Sequence, residues 1–254
     1  MKTRRTKMPY RKMTHPIVLI AATLTTVCVV ILPLWKQYEQ QQLNRQLFTA
    51  IRSNNNNAVV ALLNAGANAS ANDTGWTVSF RQFVLLKMSG GSLPQRPSAP
   101  SALSVAIARA LHDNTRGPYP IIHALLEHHA DANGKYTGES EEAGTMTDSE
   151  PLFIMAANME DMSCLNDLAV HGAKVDVLDA QGLTALMYAA ADRRIATVKC
   201  LLALGANARV KGPTGSSALD FAQQHYGSLN GGKEDEEDKR ARRETIHLLE
   251  RGTN

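Results

Sequence analysis

From Leu43 onward the chain alternates short apolar-periodic segments with polar turns. Apolar residues three and four apart recur as Val59, Leu62 and Leu63, and again as Val198, Leu201 and Leu202. That is the spacing of one buried helix face. The stripes end in related words: ALLNAGANAS at 61–70, ALLEHHADAN at 124–133, DLAVHGAKVD at 167–176, CLLALGANAR at 200–209 and HLLERG at 247–252. Before each lies a second apolar segment with a small residue at its centre, namely Ala50, Ala106, Ala156, Ala189 and Ala222. The pattern predicts an all-α solenoid of about five helix-turn-helix repeats, at roughly 43–75, 97–134, 148–182, 183–215 and 216–252. No unit hides its stripe alone, so stability is expected from stacking on neighbours.

Local signals support these limits. Gly66, Gly172, Gly205 and Gly252 fit left-handed residues that terminate the second helix of a unit, and His129 takes that slot once. Thr184 and Ser217 read as caps of first helices, and the Asn54–Asn57 run as a loop and cap. Cys164 and Cys200 fall within helical patterns and read as small packing residues, with a bridge between neighbouring repeats as the alternative. Cys28 belongs to an apolar run near the N-terminus.

Two landmarks recur at a spacing of 33, Gly172 to Gly205 and Gly182 to Gly215. The unit LTALMYAAADRRIATVKCLLALGANA, 183–208, aligns without a gap to the consensus of a known repeat, and its TALMYAA stands where that consensus has Thr-Pro-Leu-His-x-Ala-Ala. GAKVDVLDAQGLTAL at 172–186 matches the turn that precedes it, including Asp179 and Gly182. The chain therefore resembles the ankyrin-repeat family. The resemblance implies a module that binds another protein rather than an enzyme. The family's histidine is replaced in every unit, by Phe48, Ser104, Phe153, Met187 and Asp220, and only Pro151 fills the proline slot. Turn-to-turn hydrogen bonding through that histidine is therefore missing.

Insertions lengthen the repeats at defined points. About 25 extra residues follow Asp73, carrying Trp76, Phe80, Phe83, Val84, Leu85 and Leu86. Residues 134–150 lengthen the next hairpin, 112–120 extend a loop inside repeat two, and 226–239 carry five consecutive acids, Glu234 to Asp238, read as a solvated loop. In ankyrin stacks the hairpin tips and exposed first-helix faces usually contact partners, and long inserts in a compact repeat are often functional. Trp76, Phe80, Arg81 and Phe83 are thus candidates for a partner surface with an aromatic anchor and polar rim, joined by Tyr136 in the second insert. The faces around Leu183 and Asp192 are the next candidates. The alternative is that the first insert folds back as a cap over the first repeats and buries its own apolar groups.

Ahead of the repeats, residues 17–35 run IVLIAATLTTVCVVILPLW without a charge, close to the ~20 residues that span a bilayer. Trp35 and Tyr38 sit where an interfacial aromatic belt would lie. Residues 1–16, the expected cytoplasmic tail, hold six basic groups and no acid. The positive-inside rule then keeps the N-terminus cytoplasmic and places the repeats outside, in the periplasm if the cell is bacterial. A cleaved signal peptide fits less well, because the apolar core is long and no small-residue cleavage site follows it. A mitochondrial transit peptide fits less well again, since the run is not amphipathic. Residues 36–42 read as a linker.

The overall charge of +3 belongs to the tail. Setting aside its six basic residues, 27 Lys and Arg become 21 against 24 Asp and Glu, a net −3 for the rest. A mildly acidic body argues against a nucleic-acid partner held by phosphate neutralisation. No catalytic constellation emerges. Gly90-Gly91 and Gly231-Gly232 lack the helix that follows a phosphate loop, and no nucleophile elbow or His-Glu-x-x-His is found. His123 and Glu127 share a helix face at i, i+4, but no third metal ligand is evident. No cofactor, metal or catalytic residue is therefore expected; an enzyme with a site hidden in the inserts is the alternative of a different class.

Overall fold

The computed structural model describes Thr25 and residues 27–73, 75, 78–92, 99–113, 119–136, 150–159, 161–224 and 236–252. Eleven α-helices account for nearly all its regular structure: α1 Leu32–Arg52, α2 Asn56–Asn64, α3 Phe80–Met88, α4 Ala102–His112, α5 Pro120–Glu127, α6 Leu152–Ala157, α7 Ser163–Val170, α8 Ala185–Ala191, α9 Ile195–Ala203, α10 Ala218–Gln223 and α11 Glu236–Gly252. A π-helical stretch, Val27–Ile31, leads into α1. Two short antiparallel strands, β1 Lys135–Tyr136 and β2 Glu150–Pro151, precede α6. The chain forms two compact units, residues 1–41 with 77–92, and residues 42–76 with 93–254.

In the larger unit, helices α4, α6, α8 and α10 form one row, each packed on the next. The second helices stack behind them, α2 on α5, α5 on α7 and α9 on α11. One apolar cluster runs continuously through the stack from Leu47 to Leu249. The central alanines Ala50, Ala106, Ala156, Ala189 and Ala222 are all buried, which lets neighbouring backbones approach closely. Val59 and Leu63 in α2 and Val198 and Leu201 in α9 are buried as their spacing requires. Leu202 is not: it is half-buried, packed at the edge of the core near Gly252.

Capping explains where the helices start. The Thr184 hydroxyl accepts from the Met187 amide at 3.3 Å, Ser101 from Ser104 at 3.1 Å, and Ser217 forms a reciprocal capping box with Asp220. Within the asparagine run, Asn54 takes a left-handed φ of 53° and Asn55 caps α2 by accepting from Ala58. The second helices of three repeats end on Gly66, Gly172 and Gly205 with positive φ, and His129 takes the same conformation at φ 63°.

Three expectations need correction. Gly252 is the last residue of α11 rather than a left-handed residue beyond it. Residues 36–42, expected as a linker, lie within the 21-residue helix α1. Of the acidic run, Glu236–Asp238 form the first turn of α11, where negative charge complements the helix dipole, instead of a loop. The cysteines are the packing residues expected, with no bridge between them: Cys164 and Cys200 are both free, and burial, with Asp167 and Asp161 nearby, pushes the Cys164 thiol up to about 12. No helix among the described residues is long and apolar enough to cross a membrane. Residues 17–24 and 26 of the apolar run lie outside the described residues.

The inter-repeat polar links run through a different residue from the one the family pattern uses. Four residues beyond three of the four left-handed terminators, Gly66, His129 and Gly172, a short polar side chain reaches the next turn. The Ser70 hydroxyl donates to the His129 carbonyl at 3.0 Å. Asn133 donates to the Gly172 carbonyl at 3.0 Å and accepts from the Lys174 amide at 2.9 Å. Asp176 accepts from the Asn207 amide at 3.0 Å. The slots left by the missing histidine are otherwise filled: Phe48, Ser104, Phe153 and Met187 are buried, and Asp220 serves as a cap partner.

Candidate protein-binding surface

The hairpin turns of the larger unit are pinned at their bases. Asn72 and Ser101 form an antiparallel bridge, with the Asp73 amide donating to the Pro100 carbonyl and the Ala102 amide to the Ala71 carbonyl. Arg52 pairs with Asp73 beneath it. At the next hairpin Lys135 faces Pro151 and Tyr136 faces Glu150. Both inserts therefore leave the stack through closed necks.

At the third hairpin, Asp179 organises the turn. Its carboxylate accepts from the Leu183 amide at 2.9 Å and from the Tyr188 hydroxyl at 2.6 Å. Its amide donates to the Leu183 carbonyl at 3.1 Å. Burial raises the Tyr188 phenol above its ordinary value, and its bond to Asp179 adds to the shift. Glu150 is also raised, first by burial and then by the charge of Asp179, so the two carboxylates repel each other across the turns that open repeats three and four. Gly182 completes this turn at φ 73°; a Cβ there would stand 2.7 Å from Pro213 Cγ in the following hairpin. Both the backbone and the space demand glycine.

The candidate residues are divided between the two units. Trp76 lies outside the described residues. Phe80, Arg81 and Phe83 share α3, in the smaller unit. There Phe80 meets Trp35 edge-on at 4.7 Å and Tyr38 at 5.3 Å, while Phe83 is fully buried with Tyr38 at 5.9 Å. Phe83 is thus a packing residue and not an exposed anchor. The insert buries part of its aromatic surface, and it does so on the first turns of α1. Arg81 is exposed. In the larger unit Tyr136 on β1 and Leu183 in the third turn are half-buried, and Asp192 is an exposed C-cap of α8.

The His123–Glu127 pair acquires cross-repeat neighbours that sequence spacing did not reveal. His123 Nδ1 lies 3.5 Å from Asp167, and His171 Nε2 lies 3.7 Å from Glu127. The Lys199–Glu244 pair, at 2.7 Å, spans the seam between α9 and α11 in the same way. These are partly solvated polar contacts between stacked helices, and no group of three metal-binding side chains is found among the described residues. The signal was their recurrence at neighbouring positions of successive second helices.

A stack of paired helices joined by hairpin turns, each unit dependent on the next, defines a repeat protein of the solenoid class. Residues 152–233 match the family model described as ankyrin repeats (3 copies), and this stretch is an ankyrin-repeat array. No curated protein matches the chain. Ankyrin repeats are protein-interaction modules, and the family is generally non-enzymatic.

Proposed function

We propose that the protein is a membrane-anchored, extracytoplasmic ankyrin module that captures a protein partner on the hairpin and first-helix face of repeats two to four. The observation that carries the partner surface is the polar edge of adjacent turns, where Asp179 accepts from the Tyr188 hydroxyl at 2.6 Å and Glu150 on β2 is raised by burial and then by the charge of Asp179. A Lys or Arg of the partner placed there relieves that repulsion, and the mildly acidic body of the chain favours the same kind of partner. Tyr136 and Leu183, half-buried beside it along the turns, supply apolar contact. The anchor rests on the charge-free run 17–35 and the basic residues before it. A scaffold or protection factor for an envelope protein and an immunity-type protein that occludes a delivered toxin are the two roles compatible with this reading.

The enzyme alternative gains little from a half-open cavity of about 300 Å³ beside α4 and α5. Its carboxylate, Asp113, sits 3.2 Å from Arg109, which also donates to the Arg52 carbonyl.

Two experiments test the proposal. An export-dependent reporter fused after Asn254 should be active, and activity of a cytoplasm-only reporter there would sink the topology. Glu150→Lys should weaken partner binding at least tenfold without lowering the melting temperature, since it removes a repulsion inside the fold. Unchanged affinity would place the surface elsewhere.

A further inference from the structure

Exposed large apolar side chains are unevenly distributed. Among the described residues, the larger unit exposes Val60, Val170 and Leu178, each separate in sequence. The smaller unit exposes Val29, Val30, Ile31, Leu32 and Trp35 consecutively along α1 and its π-helical start, together with Leu85 and Met88 on α3. Met88 is 72% exposed and Leu85 58%. Isolated exposed leucines need no explanation, but a contiguous set does.

The two helices of this unit are held by one aromatic cluster. Trp35, Tyr38, Phe80 and Phe83 pack through centroid distances of 4.7–6.1 Å. On α3, Phe80, Phe83 and Lys87 form the stripe turned to that cluster, with the Lys87 ammonium 6.0 Å from the Phe83 ring centre. Arg81, Leu85 and Met88, at i, i+4 and i+7, form the opposite stripe. A capping box of Ser79 and Gln82 fixes where α3 starts. The helix is therefore built, and built with two leucine-sized groups and an arginine facing water.

We infer that α3 is an interfacial foot that lies on the same bilayer entered by the apolar run, so that the first insert is a membrane-contacting element rather than a protein-binding one. The inference rests on the anchor reading given above. Three observations favour lipid as the occupant. The exposed side chains of 29–35 continue directly, in sequence, into the charge-free residues 17–28. Trp35 and Tyr38, the residue types of a headgroup belt, are the ones that hold α3 in place. The charged groups of 27–41 and 78–92 are Lys36, Arg81 and Lys87 against the single acid Glu39, and Glu39 accepts from the Trp35 indole at 2.7 Å. An apolar-tipped helix with basic groups beside the tips suits the surface of a bilayer.

The full chain, with Cys28 and Cys200 changed to Ser, is reconstituted in phosphatidylcholine vesicles containing one third phosphatidylglycerol. An environment-sensitive fluorophore is attached at Met88→Cys, Leu85→Cys or, as control, Leu178→Cys. The first two labels should shift to the blue and be quenched about twofold or more by shallow spin-labelled lipid, with the control unaffected. A chain that stays in the carbonate-washed pellet with labels 85 and 88 in water overturns the foot and leaves the anchor standing. A chain that washes off overturns the anchor and the foot with it. A blue shift without lipid quenching means cover by protein, a partner or a second copy, and also overturns the inference.

Discussion

Repeats three to five and repeats one and two are built on the same packing scheme, yet the ankyrin family match at 152–233 covers only repeats three and four and the first helix of repeat five. Both halves bury their stripes: Val59 and Leu63 in one, Val198 and Leu201 in the other. Both cap first helices with a hydroxyl, Ser101 or Thr184, and both close second helices with a left-handed residue. They part at the hairpins. Repeat four follows repeat three through a short turn built on Asp179 and Gly182. Repeat two follows repeat one only after the chain has left and returned through the Asn72–Ser101 bridge. The family signature thus resides in an uninterrupted turn, whereas stacking requires only helix periodicity and terminators.

The comparison breaks first at the core. Leu201→Ala and Leu125→Ala, both at fully buried positions in second helices, should each cost about 2–5 kcal/mol in chemical denaturation. Loss at either should spread into adjacent repeats, seen as faster amide exchange there. A cost below about 0.5 kcal/mol at Leu125 alone would mean that repeat two is not packed like repeat four. Leu202→Ala should cost less than Leu201→Ala, because Leu202 is half-buried.

A smaller effect is expected at the turn that distinguishes the halves. Gly182→Ala meets both a positive φ and Pro213, and should destabilise by more than about 1 kcal/mol. Gly205→Ala has the same backbone cost with nothing within 4 Å of the new Cβ. A thermal melt showing Gly205→Ala as the worse variant would contradict the tight contact between hairpins.

The smallest effect concerns acid. The Ser217 amide and hydroxyl, with Lys211 at 3.3 Å, hold the Asp220 carboxyl down at about 2. A depressed folded-state value contributes stability above the ordinary carboxylate pKa and loses it as pH falls through the folded one. The last repeat should therefore loosen between about pH 4 and pH 2, modestly, since the side chain is partly exposed. Asp220→Asn should flatten that stretch of the stability–pH curve; an unchanged slope would assign the acid sensitivity to other groups.

Much of this was legible in the chain. The helix pairs, the alanine centres, the Thr184 and Ser217 caps and the glycine terminators follow from local spacing, which acts within a few residues. What was not legible depends on contacts distant in sequence. Nothing near Phe83 announces that Tyr38, 45 positions earlier, buries it. The extension of α1 through residues 36–42 has no apolar period to betray it, because KQYEQQQ is polar with good helix formers. The Asp167 and His171 neighbours of the His123 pair come from another repeat. The Ser70, Asn133 and Asp176 links recur as a short polar residue four beyond the terminator, but their partners lie in the next repeat.

The closed necks have a consequence for how such a chain changes over time. Wherever the chain goes beyond Asp73 or Tyr136, it re-enters the stack hydrogen-bonded to the strand it left. Joining the ends of a longer loop costs only about 0.6 kcal/mol for each doubling of its length. The two hairpins therefore behave as sockets: a longer loop between the closing pairs costs the stack little, because the helices on either side are joined by those pairs. A change in the length of either insert therefore alters the surface carried at that hairpin without altering which helices stack.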